Sequence, residues 1–263
     1  MSKVEEFRAL HLRRVPGDPL VLPGPWDAAS ARAFQAAGFP ALATPSAGVA
    51  ASLGYADGST PADEMFAAVA RIARAVEVPV SADVEDGYGL APKELVERLL
   101  EAGAVGCNLE DSRRGALKDP CEHADFLAEV RAAAGDGLFL NARVDVFVHG
   151  DGDPERAVER AVAYVAAGAD CVYPILAPAD LLPVLRAGIP GPLNALVRLD
   201  GDGPSPAELG GLGATRITFG PGLQRRAERA VREIADGLGT FRTATAATPR
   251  GGCPPTSSPP APG

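Results

Sequence analysis

One arrangement of apolar and polar positions recurs along the chain: a stretch with apolar residues at helical spacing, a glycine, then a short run that is apolar throughout. It appears around Gly38, Gly103, Gly168, Gly188 and Gly213. A glycine just past a helix supplies the left-handed residue that closes it, and an unbroken apolar run of strand length suits a strand buried on both faces. The repeat predicts strands near 20–24, 41–45, 78–83, 104–110, 138–143, 170–175, 192–197 and 214–219. Helices are predicted between them, near 27–37, 61–76, 92–102, 121–134, 154–167, 178–187, 206–211 and 222–238. Thr60-Pro61 with Asp63, Asp153-Pro154, and Ser205-Pro206 with Glu208 mark helix starts, each a capping residue followed by proline at the first helical position.

Eight successive βα units predict a closed (β/α)₈ TIM barrel in a single domain, with an open doubly wound sheet as the alternative. No GxGxxG follows a predicted strand, which counts against a dinucleotide-binding sheet. The barrel is expected over residues 19–239, after a lead-in of 1–18. From Thr240 onward proline, glycine, serine and threonine replace the periodic pattern. This tail, 240–263, is expected to be disordered, because it carries too little apolar surface to offset its ordering.

With 263 residues, 46% hydrophobic and 22% charged, the chain can bury one full core. Its net charge of −9 gives nucleic acid and anionic membranes no electrostatic reason to bind. Residues 1–14 mix both signs of charge without a long apolar run, so neither a signal peptide nor a membrane span is expected, and the expected location is the cytoplasm. Cysteines 107, 121, 171 and 253 lack metal-site spacing. Cys107 and Cys171 fall in strand runs and read as small buried hydrophobes.

In a closed barrel the chemistry gathers where strands end. The first five predicted strands end in Trp26-Asp27, in Ser46-Ala47-Gly48, in Asp83-Val84-Glu85-Asp86, in Glu110-Asp111-Ser112 and in Arg143-Val144-Asp145. Asp83, Glu85 and Glu110 would bring three carboxylates to one rim, a concentration of like charge that calls for a compensating cation. Oxygen ligands without histidine or cysteine favour Mg²⁺ or Mn²⁺ over zinc. Arg143 either neutralises Asp145 or grips a substrate carboxylate or phosphonate in bidentate fashion. Trp26 and Asn194 are candidate substrate contacts, although a residue such as Asn194 also suits packing.

The segments PWDAASARAFQAAGFPALATPSAGVAASLGYADG, SADVEDGYG, AGAVGCNLEDS and NARVDVF, in that order across roughly residues 20–240, resemble the isocitrate lyase/phosphoenolpyruvate mutase superfamily. The resemblance implies a barrel whose last helix is often exchanged with a neighbour, a homodimer or homotetramer, and Mg²⁺ beneath an enolate-like intermediate. It implies that Asp83 is the principal metal ligand, Glu85 and Glu110 its acidic companions and Asp57 an outer metal residue. Ser46, Ala47 and Gly48 would bind a substrate carboxylate through backbone amides, and Arg143 would be the substrate arginine. Glu85 stands where the superfamily commonly has aspartate.

The loop after Glu110-Asp111 departs further. The lyase branch of the superfamily carries K-[KR]-C-G-H, whose cysteine protonates the leaving carbanion, and the mutase branch an asparagine-serine element; SRRGALKDPCEHADF matches neither. Lys118, Cys121 and His123 echo the lyase loop, but Asp119-Pro120 reads as the capped start of a helix with Cys121 in its first turn. Cys121 as the proton donor is the alternative reading. The leading expectation is a Mg²⁺-dependent lyase acting on a C–C bond of a small 2-hydroxy or 2-oxo di- or tricarboxylate. Carbon–phosphorus mutase or hydrolase chemistry and a non-catalytic 2-oxo acid binding barrel are the alternatives.

Overall fold

A computed structural model of the protein describes residues 1–12, 17–201 and 203–246. In chain order it contains α1 (Lys3–Leu12), β1 (Leu20–Val21), α2 (Ala28–Ala36), β2 (Leu42–Ala43), α3 (Ser46–Leu53), α4 (Ala62–Ala73), β3 (Val80–Asp83), α5 (Pro92–Glu101) and β4 (Gly106–Glu110). There follow β5 (Ser112–Arg113), β6 (Ala116–Leu117), α6 (Pro120–Ala134), β7 (Phe139–Val144), α7 (Pro154–Ala166), β8 (Cys171–Pro174), a 3₁₀ turn (Ala179–Leu181) and α8 (Leu182–Gly188). The last elements are β9 (Asn194–Leu196), α9 (Pro206–Gly211), β10 (Arg216–Thr218) and α10 (Gly222–Ala246).

The strands form two parallel sheets, β2-β3-β4-β7-β8 and β1-β10-β9. Single hydrogen bonds join them at two seams, Ala43 N–H to Pro23 O at 3.2 Å and Val172 N–H to Pro192 O at 3.1 Å, with Val172 bridged to Leu193. The eight strands therefore close in chain order, as the repeating βα pattern predicted. Local signals account for the helix starts: Asp153 and Asp119 each cap a helix that begins with proline, and Ser205 with Glu208 forms a capping box. Thr60 is an exception. Helix α4 begins at Ala62 with Pro61 in the cap position, and the Thr60 hydroxyl has no partner among the described residues.

Alternate strand residues face inward. At the floor Phe7 of α1 packs with Leu20, Leu22, Ala41, Ala43, Phe139 and Cys171. Gly106 makes room there, since a Cβ on it would lie 2.7 Å from the Phe139 carbonyl and 3.3 Å from the Phe7 ring. One layer up the interior turns polar, with Ser81, Asn108, Asn141, Asn194 and Arg216. Asp83, Glu110, Arg143 and Thr218 follow two residues later on the same strands, so the chemistry-bearing groups stand on rigid strand ends above a packed base. The larger apolar clusters lie between strands and helices, where Cys107 is fully buried as expected.

Helices α1 and α10 reach beyond the expected barrel limits at both ends. Residues 1–18 are more than a lead-in, because α1 buries Phe7 and His11 against Phe139 and joins Arg8 to Asp170. At the other end α10 runs to Ala246, so 240–246 are helical; the rest of the expected tail lies outside the described residues. The chain divides into two compact units at Arg225/Arg226. The second unit's helix carries Val231, Ile234 and Leu238 exposed at helical spacing. No described helix is long and apolar enough to cross a membrane.

Candidate active site

Asp83 ends β3 and is buried. Its Oδ2 accepts hydrogen bonds from the Ser46 amide at 3.1 Å and the Ser46 hydroxyl at 2.8 Å, while Oδ1 has no donor among the described residues. Ser46 is the first residue of α3, an element the sequence reading did not anticipate. The Val49 amide is the first to bond back along α3, to Pro45 O at 2.9 Å, so the amides of Ala47 and Gly48 precede any intrahelical acceptor. They share the helix N-terminal field, which favours an anion. Gly48 is required by close approach, because a Cβ would sit 2.9 Å from Pro45 Cγ.

Glu85 follows in a left-handed backbone conformation, φ +51°, rare for a residue with a long side chain. The Glu110 amide holds it there by donating to the Glu85 carbonyl at 2.9 Å. The Glu85 Oε1 is buried without a partner among the described residues. Burial first, then the charges of Asp83, Asp57 and Asp86, push its carboxyl up to about 7, against the pull of Arg143. Asp57 itself stands in the exposed turn between α3 and α4, within electrostatic reach of Glu85.

Glu110 and Arg143 are side by side on β4 and β7. The guanidinium donates to Glu110 Oε1 at 2.9 Å and to Asp145 Oδ1 at 2.6 Å and Oδ2 at 3.0 Å, and its Nη2 pairs with Glu110 Oε2 at 2.8 Å. Burial works against the Arg143 charge, but hydrogen bonding to Asp145 and the charges of Asp145 and Glu110 outweigh it and raise its pKa. Burial likewise pushes Glu110 up to about 8, with Asp83, Asp145 and Glu85 adding to the rise and Arg143 opposing it. The neutralising contact with Asp145 is thus made, and all three nitrogens of Arg143 are in use.

Behind this pair, toward α7, lies an anchor that the sequence does not reveal. Asp111 is fully buried and accepts from the Asp145 amide at 2.8 Å, Arg160 Nε at 2.6 Å and the Tyr164 hydroxyl at 2.8 Å. It ties the ends of β4 and β7 to α7. The only signal in the sequence was that Asp111 adjoins Glu110, and nothing there marks Arg160 as its partner 49 residues on.

The loop that departs from the superfamily is a β5–β6 hairpin whose central residues, Arg114 and Gly115, have φ of +51° and +80°, the sign pattern of a type I′ turn. It is pinned on several sides. Lys118 Nζ donates to the Glu110 carbonyl at 3.0 Å, Arg160 Nη2 to the Lys118 carbonyl at 2.7 Å, Arg113 pairs with Asp86 at 3.3 Å, and the Ser112 hydroxyl bonds Asp145 and meets His149 Nε2 at 2.9 Å. Beyond it Asp119 caps α6 with Pro120 first, so Cys121 sits in the first helical turn, exposed, with its amide on Asp119 Oδ1 at 2.8 Å. His123 is a core residue between the Phe126 and Tyr164 rings, its pKa lowered to about 3 by burial and then by Lys118 and Arg160. Replacing Cys121 by serine is therefore expected to change turnover less than about tenfold, or roughly 1.4 kcal/mol of barrier. A much larger loss in kcat alone would return Cys121 to the role of proton donor.

Among the described residues no three His, Cys, Asp or Glu side chains converge into a ready-made metal cage. Of the three rim carboxylates, Glu110 is turned onto Arg143. What remains are two buried carboxylate oxygens without donors, Asp83 Oδ1 and Glu85 Oε1. That set fits Mg²⁺, which commonly uses one or two carboxylates and keeps several waters. The Trp26 ring meets Phe34 of α2 at 6.3 Å, and Asn194 is wholly buried with its Nδ2 on Thr218 Oγ1 at 3.1 Å.

The raised carboxyls give a signed expectation. Folding lifts Glu85 from 4.5 to about 7, so the folded state holds more protons than the unfolded one across that interval, and stability present at low pH is lost as pH rises through about 7. Metal-free protein should melt lower at about pH 8 than at about pH 5.5, and Mg²⁺ should raise the melting temperature more at the higher pH. Scanning calorimetry with chelator and with Mg²⁺ checks both; a Mg²⁺ gain independent of pH would remove Glu85 from the site.

A closed parallel barrel with buried acid groups at its strand ends defines a class of enzyme scaffold, and comparison narrows it. The family described as phosphoenolpyruvate phosphomutase matches residues 7–238, and the chain belongs to the phosphoenolpyruvate mutase/isocitrate lyase superfamily. A Mycobacterium tuberculosis protein without an assigned activity is 36% identical over 88% of this chain and 89% of its own length. A probable 2-methylisocitrate lyase of Corynebacterium glutamicum is 30% identical over 74% of this chain and 67% of its own. A solved Burkholderia cenocepacia protein, provisionally described as a phosphonomutase, superposes with a TM-score of 0.81 at 40% identity, covering 89% of this chain and 99% of its own.

Proposed function

We propose that this protein is a Mg²⁺-dependent lyase that cleaves, or in reverse forms, a C–C bond in a small 2-hydroxy or 2-oxo di- or tricarboxylate. The observation that carries the reading is the pair of donor-free buried oxygens, Asp83 Oδ1 and Glu85 Oε1, on strand ends beside the first-turn amides of α3. Asp83 and Glu85 would hold the metal, with Asp57 contributing charge from outside. When bound, Mg²⁺ supplies Lewis acidity to charge that develops on an adjacent oxygen during bond cleavage. The amides of Ala47 and Gly48 receive one substrate carboxylate, and Ser46 keeps Asp83 aimed by holding its other oxygen. Arg143, fixed by Asp145, offers its guanidinium to a second acid group where it now meets Glu110.

Carbon–phosphorus chemistry on a phosphonopyruvate-like substrate is the second reading, favoured by the loop: Cys121 is placed on a helix rather than in a lyase gating segment. Product analysis on a panel of 2-hydroxy and 2-oxo acids plus phosphonopyruvate separates the two. Cleavage to a shorter 2-oxo acid supports the lyase, and release of phosphate or phosphoenolpyruvate supports the second. Tight oxalate binding with no turnover on any member would leave a binding barrel.

The assembly is proposed to be a homo-oligomer in which Val231, Ile234 and Leu238 of α10 are covered by a second copy. Light scattering should give at least a dimer, and Val231→Asp with Ile234→Asp should shift it toward monomer. A wild-type monomer at micromolar concentration would refute the proposal.

A further inference from the structure

Arg216 opens β10 and has no exposed surface. Its nearest polar contact is weak, Nη2 to Asn108 Oδ1 at 3.4 Å, and its Nε and Nη1 have no acceptor. Among the described residues no carboxylate pairs with it, and its guanidinium carbon lies 5.9 Å from the ring centre of Phe7 on the apolar floor. The surrounding layer also carries unpartnered oxygens, on Ser81, Asn141 and Asn194. Asn108 stands two residues before Glu110 on β4, and Ser81 two before Asp83 on β3, which places this layer directly beneath the rim.

A buried cation without a partner costs stability, and replacing such a group by an apolar residue of similar size is often neutral or stabilising. The cation–π contact with Phe7 offsets only part of that cost, and the floor below is already filled by Phe7, Leu20 and Phe139, so packing gives little reason for a guanidinium at this point. Its position gives another reason. A fixed positive charge below the rim, in an interior of low dielectric, draws anions toward the strand ends and repels a cation from the same place.

We infer that Arg216 is a floor cation of the site, kept inside the barrel to attract a small dicarboxylate from below through its field and not to hold the fold together. The inference rests on the carboxylate-binding reading given above. It names Arg216 as a positioning residue acting through its field. Arg143 grips acid groups at the rim, and Arg216 sets the potential beneath them.

The two roles predict opposite signs, and Arg216→Met separates them. Calorimetry would measure Mg²⁺ alone, then oxalate at saturating Mg²⁺, on wild type, Arg216→Met and Arg216→Lys. Arg216→Met is expected to keep or raise the melting temperature, to bind Mg²⁺ as well or more tightly, and to bind oxalate weaker by on the order of tenfold. Arg216→Lys should recover most of the oxalate affinity. Unchanged oxalate affinity in Arg216→Met overturns the inference alone, as does a lower melting temperature, a failure to fold or a parallel loss of Mg²⁺ and oxalate, each of which marks a structural residue. Wild type that binds no oxalate at saturating Mg²⁺ defeats the proposed function, and this inference with it.

Discussion

Replacing Asp83 by alanine is expected to abolish Mg²⁺ binding in calorimetry while leaving the far-ultraviolet circular dichroism spectrum intact. The side chain ends a strand, one oxygen without a donor and the other held by the Ser46 amide and hydroxyl, so its removal takes away the best-placed metal ligand with little packing. Loss of an orienting contact to a ligand typically costs tenfold to a hundredfold in metal affinity, so loss of the ligand itself should cost on the order of a hundredfold or more. Asp83→Asn refines the result, because it keeps an acceptor for Ser46 and removes the charge. It should also lose the metal. Unchanged Mg²⁺ affinity in Asp83→Ala would overturn the site.

The second large effect is on stability. Arg143→Ala removes the guanidinium from two carboxylates at once: buried Asp145, with 1% of its side chain exposed, and half-buried Glu110, with 16%. Breaking a buried pair by deleting one partner leaves an uncompensated charge and costs about 3–5 kcal/mol. Urea unfolding should show a loss of that order, and oxalate binding should fall with it. Arg143→Lys should recover only part, since an ammonium cannot reproduce the fork that engages Glu110 and Asp145 together. A variant as stable as wild type would mean that the Ser112 hydroxyl and the Asp145 backbone contacts suffice to hold that carboxylate.

The sequence by itself determined the barrel and the order of its parts. Helical spacing, a closing glycine and a doubly buried apolar run are local features, and so are the caps at Asp119, Asp153 and Ser205, which is why each of these helices starts where the chain indicated. The same locality explains why Cys121 was legible as a helix residue. Thr60 shows its limit: a cap requires the hydroxyl to reach an amide, and the turn before α4 presents Pro61 instead. Low hydrophobic contrast hid α1 and α3, whose apolar residues do not form a single clear stripe, and the compositional change at Thr240 concealed seven further helical residues because alanine and threonine there carry no strong periodicity.

Tertiary structure alone decided which acids have partners. Asp83, Glu85 and Glu110 read alike in the chain, but closure of the barrel brought Ser46 to the first, left an oxygen of the second without a donor and set Arg143 against the third. Asp111 found Arg160 and Tyr164 on α7, and Arg216 found no carboxylate among the described residues. Such pairings join residues dozens of positions apart, and their energies depend on burial and on angles set by the whole barrel. Spacing along a chain encodes neither quantity, so it could nominate the rim residues but not assign their partners.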